Sequence, residues 1–291
     1  MARAPLVVRR RAARRSPLAG SPLERLLVNG ALVVLACAAL GPLLWMVSVS
    51  FMPAGQTSTF PPPLVPERPT FDNYAQLFAL AGMGRHIVNS ALLAVIATLV
   101  SLAFNVTAGY GFAKLRFRGR DTMFQLLLGA LVIPGQVTMI PLFLMMKYMG
   151  LINTYAGVLV PLLASVLGIA LVRQYALSIP DELLEAARID GAGELRTFVS
   201  IVLPGLVPIL VTVAVFTFLG SWNDFLWPLI MLSHDELHTL PLALAALSRE
   251  HVQDRELMMA GSVLTLLPPL AVFLVLQRYY MQGLLAGSVK G

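Results

Sequence analysis

Six long apolar stretches constrain this chain more than any other feature of its sequence. Each is long enough for a helix that crosses a bilayer, whose hydrocarbon core takes about 20 apolar residues. Charge is scarce as well, because Asp, Glu, Lys and Arg make up 12% of the 291 residues, about half the share typical of soluble domains. The sequence therefore predicts an all-α integral membrane protein with six transmembrane helices, over residues 26–51, 87–113, 123–146, 156–177, 201–232 and 257–280.

Two of the stretches differ from a simple span. The fifth is too long and contains Gly220 and Pro228, which predicts a helix to about Trp222, a break, and a short second piece. The first continues for about fourteen residues beyond Cys37, further than the short apolar core of a signal peptide would. We therefore expect the first stretch to remain as a membrane helix.

The basic residues predict the orientation of the chain. Seven of the 21 Lys and Arg residues precede residue 26, which is the usual sign of a cytosolic N-terminus. From that start, sixteen of them fall in cytosolic segments and five in outer segments, so we expect both termini in the cytosol. The positive excess belongs to the tail and has no recognition motif beside it, so nucleic-acid binding is not expected.

The chain lacks the motifs of several catalytic and metal-binding classes. No lysine ends a Gly-x-x-x-x-Gly-Lys-Ser/Thr loop, so we predict no ordinary ATP-binding P-loop. No serine occupies a Gly-x-Ser-x-Gly turn. His234 and His238 are four residues apart, but a solvated outer loop explains them better than a metal pair, because no third ligand has matching spacing. We therefore expect no catalytic residue, no metal site and no cofactor bound by this chain.

The spans contain many prolines, with polar neighbours such as Thr107 and Thr138. Proline is tolerated in membrane helices where neighbouring groups satisfy the freed carbonyls. Such helices suit a translocation path that bends, although ordinary packing kinks would have the same sequence. Asp224 is the one carboxylate near a span, and an interfacial position at the outer end is favoured over a proton-relay site. Trp222 and Trp227 fit an aromatic belt at a membrane surface.

Residues 178–204 connect the fourth and fifth stretches and predict more than a simple turn; we call this segment the hairpin. Ser178 can cap a helix whose first turn contains Pro180 and two acids, residue types that suit a helix N-terminus. The small side chains of Ala186 and Ala187 leave room for the close approach of a partner. An apolar side of this helix is formed by Leu183, Leu184, Ala187 and Ile189.

A glycine turn ends the first helix of the hairpin and leads to a second. Gly191 and Gly193 are expected to stop it, because glycine adopts the left-handed conformation at low cost. The second helix begins near Glu194 and runs into the fifth span, where Pro204 loosens it. Five acids face two bases in this segment, so an anionic membrane surface would repel it and a protein partner fits better. The acids are Asp181, Glu182, Glu185, Asp190 and Glu194.

The hairpin resembles the EAA loop of bacterial ABC importer permeases. That loop has E-A-A, then G after three residues, then I-x-L-P nine residues further on, and this chain has Glu185-Ala186-Ala187, Asp190-Gly191 and Ile201-Val202-Leu203-Pro204. The resemblance extends over about residues 86–281. Residues 221–228 and 286–291 are similar to the shorter, second permease of the maltose-type sugar importers. The leading tail does not match.

The resemblance implies the type I ABC importer permease fold in a bacterial inner membrane, with both termini cytosolic. It divides the chain into a cytosolic basic tail (1–24), a first transmembrane helix with an outer loop (25–85), the permease core (86–281) and a cytosolic C-terminal tail (282–291). The helix over residues 180–189 would be the coupling helix, which docks in a cleft of a partner ATPase. The coupling residues so implied are Glu185, Ala186, Ala187, Asp190, Gly191, Leu203 and Pro204.

The implied function is ATP-driven import of a sugar, an oligosaccharide or disaccharide, delivered by an extracytoplasmic solute-binding protein that meets the outer loop 233–257. The implied partners are a second homologous permease, membrane lipid and a dimer of ABC ATPase subunits that uses ATP and Mg. Another solute, such as glycerol phosphate or a polyamine, is the first alternative. A secondary carrier would need midplane ion-binding groups or inverted repeats, and neither is found. Candidates for contact with the sugar are Asn105, Gln136, Asn223 and Asp224.

Overall fold

The computed structural model describes residues 22–79, 82–250 and 254–286. Within these ranges the regular structure is entirely helical, as the apolar stretches predict. In chain order the α-helices are α1 (Pro22–Ser50), α2 (Asp72–Ala79), α3 (Met83–Lys114), α4 (Arg120–Gly129), α5 (Gly135–Tyr148), α6 (Tyr155–Leu159), α7 (Val166–Ala176), α8 (Asp181–Ile189), α9 (Glu194–Thr197), α10 (Leu203–Trp222), α11 (Leu226–Met231), α12 (Leu240–Glu250) and α13 (Arg255–Ala286).

Five helical segments in the described ranges are long and apolar enough to cross a membrane, judged by length and composition. A sixth span results if α4 and α5 are taken together, but this pair is bent by 105°. The predicted third span, residues 123–146, is therefore not one straight helix. The five segments are Pro22–Ser50, Met83–Lys114, Tyr155–Ala176, Glu194–Trp222 and Arg255–Gln277.

Proline causes the break between α4 and α5. Ile133 is extended, with φ −81° and ψ 117°, as expected for a residue that precedes proline. Pro134 has φ −60° and ψ 133°, and it has no N–H group to continue the helical hydrogen bonds. The helix starts again at Gly135 in a new direction, so the proline-rich spans bend here more sharply than a packing kink would.

The two predicted tails are only partly described. Residues 1–21 and 287–291 lie outside the described ranges. α1 begins at Pro22 and α13 continues to Ala286. The C-terminal tail predicted from residue 282 therefore begins as part of a helix.

α3 is the central helix, and it packs along α7 and α10. Two glycines allow α3 and α7 to approach closely. A Cβ atom at Gly109 would lie 2.6 Å from Val172 Cγ1, and one at Gly168 would collide with the Asn105 amide. Small residues let membrane helices pack closely where apolar burial supplies little driving force. α10 in turn packs on α13, and α13 packs on α1.

Both tryptophans near the end of α10 face the protein interior. Trp222 is 1% exposed, and its Nε1–H donates to the Thr265 carbonyl at 3.0 Å. Trp227 is 5% exposed and donates to the Gly157 carbonyl at 3.1 Å. The aromatic-belt prediction is therefore wrong for these side chains, because their N–H groups join helices inside the bundle. The predicted break is confirmed, since α10 ends at Trp222 and α11 begins at Leu226.

Buried hydrogen bonds hold the loop between α1 and α2 against the bundle. Asn73 is 3% exposed, and its Nδ2 donates to the carbonyls of Ser50 at 2.9 Å and Met52 at 2.8 Å. Glu256, at the start of α13, is 1% exposed. Its Oε1 accepts from the backbone N–H and the hydroxyl of Thr57, at 2.7 and 2.8 Å. The loop is thereby tied to both α2 and α13.

Candidate functional site

The first helix of the hairpin is α8, and it begins directly after Pro180. Pro180 occupies the N-cap position with φ −60° and ψ 136°, and no side chain caps the helix. Ser178 does not cap it, contrary to the prediction, because its hydroxyl donates to the Tyr175 carbonyl at 2.7 Å in the last turn of α7. The ring of Pro180 fixes its φ, but its ψ of 136° is extended, so the helix starts at the next residue, Asp181.

α8 ends in a glycine turn of the Schellman type. Gly191 has φ +80°, in the left-handed region. Its N–H donates to the Arg188 carbonyl at 3.0 Å, and Ala192 N–H donates to the Ala187 carbonyl at 2.9 Å. Gly193 differs from the prediction, because it is extended, with φ −69° and ψ 164°, and forms the N-cap of α9. At this turn the left-handed conformation of glycine is required at Gly191 alone.

The second helix of the hairpin starts at Glu194, as predicted, and reaches the fifth span through an irregular turn. α9 ends at Thr197, Phe198–Val202 form a π-helical turn, and α10 begins at Leu203. Pro204 follows at once and cannot donate the N–H that an α-helix needs there. The loosening predicted at Pro204 therefore corresponds to a widened turn just before it.

The apolar side predicted for α8 is divided between two faces. Leu184 is 3% exposed and packs in a buried cluster that includes Val202 and, from α3, Val106 and Ala113. Ala187 is 8% exposed, so it fills space inside the chain and leaves no room for a partner. Leu183 and Ile189 are 50% and 85% exposed. The exposed residues of α8 include Glu182, Glu185, Ala186 and Ile189.

Ion pairs fasten both ends of α8. Lys114 Nζ, at the end of α3, donates to the Ile179 carbonyl at 2.6 Å and to Asp181 Oδ1 at 2.5 Å. Arg188 donates from Nε and Nη2 to Glu194 Oε1, each at 2.9 Å. The hydrogen bond from Lys114, together with the charge of its ammonium group, lowers the pKa of Asp181. In the sequence alone, Lys114 contributes only to the count of basic residues that predicts the orientation of the chain. Its partner Asp181 is 67 residues away.

A cleft of about 860 Å³ lies between the hairpin and the basic residues that follow α3. Bases from the end of α3, the following loop and the start of α4 line it together with acids and one base of the hairpin. A partner that carries charges of both signs would therefore be complementary to this surface. The charged residues of the lining are Lys114, Arg116, Arg120, Asp181, Glu185, Arg188 and Glu194.

Asn105, a candidate for contact with the sugar, is enclosed between α3 and α7. It is 0% exposed. Its Nδ2 donates to Ser101 Oγ at 3.0 Å, and its Oδ1 accepts from Ser165 N–H at 2.9 Å. The amide thus joins the start of α7 to α3, and contact with a solute would require these helices to separate.

The other three candidates are accessible and lie on separate elements. Gln136 is exposed on α5. Asn223 is exposed just after α10 and donates from Nδ2 to the Leu219 carbonyl at 2.9 Å. Asp224 is half-buried, and its Oδ1 accepts from Trp227 N–H at 3.3 Å. The structure therefore brings together two of the four candidates, the neighbours in the break between α10 and α11.

The two histidines considered for a metal pair contact other residues of the chain, one in a distant loop and one in their own loop. His234 N–H donates to Asn153 Oδ1 at 3.0 Å, and His238 Nδ1 lies 3.1 Å from Asp235 Oδ1. Burial lowers the pKa of His238, which favours the neutral imidazole. No cluster of three His, Cys, Asp or Glu side chains suited to a metal ion occurs in the part of the chain that the structure describes.

Comparison with known proteins identifies the family. Residues 105–285 match the family described as "Binding-protein-dependent transport system inner membrane component". The chain belongs to this family. The resemblance based on the EAA loop is thereby confirmed, and the protein is an inner-membrane component of a transport system, not an enzyme. The matched range contains the whole hairpin.

Individual relatives support the same conclusion. The chain is 37% identical over 278 residues to the arabinooligosaccharides transport system permease protein AraQ of Halalkalibacterium halodurans, covering 93% of this chain and 98% of that protein. It is 36% identical over 220 residues to the lactose transport system permease protein LacG of Rhizobium radiobacter, covering 76% and 80%. In the crystal structure of a bacterial ABC transporter involved in the import of the acidic polysaccharide alginate, one chain matches with a TM-score of 0.79 at 25% identity, covering 90% of this chain and 99% of that one.

Proposed function

We propose that the chain is one permease subunit of an ATP-driven importer of an oligosaccharide or disaccharide, and that α8 is its coupling helix. The observation that carries the proposal is the division of α8 into two faces. Leu184 holds the helix in the bundle, while Glu185, Ala186 and Ile189 remain exposed. A helix with one face in the core and the other face free can transmit a partner's movement to the spans.

The exposed face of α8 suits a protein partner. Ile189, 85% exposed, would leave water when the partner docks, and burial of apolar surface is favourable. Ala186 permits close approach. Glu182 and Glu185 would be repelled by anionic headgroups and attracted by basic side chains. In the proposal the partner is one subunit of an ABC ATPase dimer, which uses ATP and Mg.

The remaining subunits and the topology follow from the same proposal. α4 and α5 together form the third of six spans, and both termini and the hairpin are cytosolic, as the distribution of Lys and Arg supports. The most apolar part of α1 is only 6% buried. In the proposal its exposed surface contacts lipid or a second homologous permease. An extracytoplasmic binding protein delivers the solute on the opposite side.

A carbohydrate is the solute that the relatives favour. AraQ is named for arabinooligosaccharides, LacG for lactose, and the matching crystal structure for alginate. Candidates for sugar contact are then the accessible Gln136, Asn223 and Asp224, with Asn105 available only if α3 and α7 separate. A thermal-shift screen of the partner binding protein tests this part, because a ligand stabilises the protein that binds it. Stabilisation by amino acids, polyamines or glycerol phosphate and not by oligosaccharides would contradict it.

The coupling assignment is tested with the whole transporter in proteoliposomes. Glu185→Lys reverses a charge on the exposed face of α8, and we expect it to abolish ATP-driven sugar uptake while membrane insertion and subunit assembly stay intact. Glu67→Lys makes the same change at an exposed position between α1 and α2 and is the matched control. Wild-type uptake by the Glu185→Lys transporter would contradict the proposal.

A further inference from the structure

Lys114 is the last residue of α3, and its side chain turns toward the hairpin. The side chain is 7% exposed, whereas Arg116 and Arg118 in the following loop are exposed. A long basic side chain at a helix end can extend its charge into water. Burial of an ammonium group is unfavourable unless hydrogen bonds replace its hydration. The position of Lys114 therefore depends on the groups that it contacts.

Two oxygens of the hairpin replace the hydration of this ammonium group. Nζ donates at 2.6 Å to the carbonyl of Ile179, in the link before α8, and at 2.5 Å to Oδ1 of Asp181, the first residue of α8. The Asp181 side chain is 72% exposed, so the carboxylate keeps most of its contact with water. One contact fixes the link and the other fixes the helix itself.

The other end of α8 is attached to a different helix. Arg188 pairs with Glu194 in α9, and their side chains are 48% and 56% exposed. α9 continues through the π turn of residues 198–202 into α10, so this pair leads to α10. Among the hydrogen bonds and ion pairs of the described residues, those of Lys114 join the start of α8 to α3.

We infer that Lys114 is a positioning residue for coupling, which fixes the start of α8 to α3 so that movement of α8 reaches α3 as well as α10. The inference rests on the proposed function, because it takes α8 as the helix that a partner ATPase moves. α3 packs along α7 and α10 at the centre of the bundle, so a displacement of α3 is shared by the spans around it. The cluster of Leu184 also includes Val106 and Ala113 of α3, but apolar packing is non-directional, whereas the hydrogen bonds of Lys114 fix the start of α8 at one position on α3. The path to α10 passes through the π turn, an irregularity at which helices bend.

Loss of the Lys114 contact should uncouple ATP hydrolysis from transport. Lys114→Met keeps an unbranched apolar stem and removes the donor, while the packing of Leu184 keeps α8 in place. In proteoliposomes with the complete transporter we expect ATP hydrolysed per sugar imported to rise about tenfold, since a hydrogen bond to a charged group is strong enough to shift an equilibrium by that factor. Lys114→Arg, which keeps a donor, should raise it much less. Arg118→Met changes an exposed base in the loop that follows α3 and should leave the ratio unchanged.

Asp181→Asn keeps the inference testable if the Lys114→Met complex assembles poorly. It removes only the charge of an exposed carboxyl group, so it leaves no cavity. We expect a smaller rise in the ratio from Asp181→Asn, and less than the sum of the two effects in the double variant, because both changes remove the same contact. An unchanged ratio in both single variants, or additive effects, would overturn the inference. Failure of the proposed function looks different, since Glu185→Lys would then leave uptake unaffected.

Discussion

The two ends of α3 are joined to the rest of the chain by different chemistry. At its start, Asn89 Nδ2 donates to the carbonyls of Glu236 and His238, both at 2.9 Å. His86 Nδ1 lies 3.0 Å from the same His238 carbonyl, and both side chains are buried. At its end, the Lys114 ammonium group contacts an exposed carboxylate. Buried, uncharged hydrogen bonds to the backbone thus hold the start of α3, beside one exposed ion pair between Arg85 and Glu236 at 3.4 Å. The ammonium group of Lys114, which is largely buried, holds the other end.

The buried hydrogen bonds at the start of α3, which we call the structural joint, stabilise the fold. The contact at its end can respond to a partner. α3 has 32 residues and is therefore about 48 Å long, so the two connections lie far apart. Buried hydrogen bonds leave unsatisfied groups when they break, which keeps the loop before α12 on α3. The ion pair of Lys114 with the exposed Asp181 is weakened by salt. A charged side chain of a docked protein can also replace one of its partners. The hairpin end therefore has the chemistry expected of an interface that moves.

The largest effect is expected from a change in the turn of the hairpin. Gly191→Pro cannot keep φ of +80°, because proline holds φ at about −65°, and it also loses the N–H that donates to Arg188. We expect ATP-driven uptake to be abolished. Gly193→Pro is the matched control, because φ of −69° suits proline, and uptake should persist. Equal losses in the two variants would contradict the assignment of the turn to Gly191.

At the other end of α3, Asn89→Leu tests the structural joint. Leucine removes the donor for two loop carbonyls, so we expect the unfolding free energy of the solubilised permease to fall by about 1–3 kcal/mol. A lower thermal-unfolding midpoint would report it, with no change in ATP hydrolysed per sugar. Gln125→Leu replaces an exposed amide on α4 and should leave the midpoint unchanged. An altered ratio at an unchanged midpoint would reverse the roles of the two ends.

Features set by neighbouring residues could be predicted from the sequence. The end of α8 follows from the conformational freedom of Gly191, and the break after Trp222 follows from the polar and proline residues beyond it. The apolar pattern of α8 predicts a single apolar face, yet Leu183 and Ile189 are exposed. Apolar periodicity predicts that these side chains are covered, and the covering residues can belong to this chain or to another.

Contacts between distant residues could not be predicted, because a single sequence does not record them. An indole ring suits a membrane surface and a helix interface equally well. Trp222 lies inside because the Thr265 carbonyl on another helix accepts its N–H. Lys114 likewise looks in the sequence like one of the basic residues that mark the cytosolic side. Only the fold brings Asp181 within hydrogen-bonding distance of its ammonium group.

A smaller effect is expected from the exposed ion pair at the end of α8. Glu194→Gln removes the charge that faces Arg188, and both side chains are about half exposed. Exposed pairs contribute about 0.2–1 kcal/mol, so we expect ATP hydrolysed per sugar to rise at most about fivefold, and less at high salt. A rise as large as that of Lys114→Met would show that both ends of α8 carry equal weight.

The smallest effect is a difference in the pH dependence of the two ends. The hydrogen bond and charge of Lys114 lower the pKa of Asp181. Its contribution to stability is therefore complete above the unfolded pKa of about 3.9 and is lost as pH falls through the lower folded value. Burial lowers the pKa of His238. Its neutral form stabilises the fold fully above the unfolded pKa of about 6.5, and this contribution declines as pH falls below that value.

Amide hydrogen exchange of the solubilised permease, corrected for the intrinsic effect of pH, can separate these two ranges. As pH falls below about 6.5, we expect faster opening in the loop 233–239, because protonation of His238 favours the unfolded state. We expect no change in α8 until the pH falls to about 4. Below about pH 4 α8 should open as Asp181 is protonated. His238→Gln should remove the first transition and Asp181→Asn the second. A single transition common to both segments would mean that the two ends of α3 open together and that their different chemistry has no separate consequence.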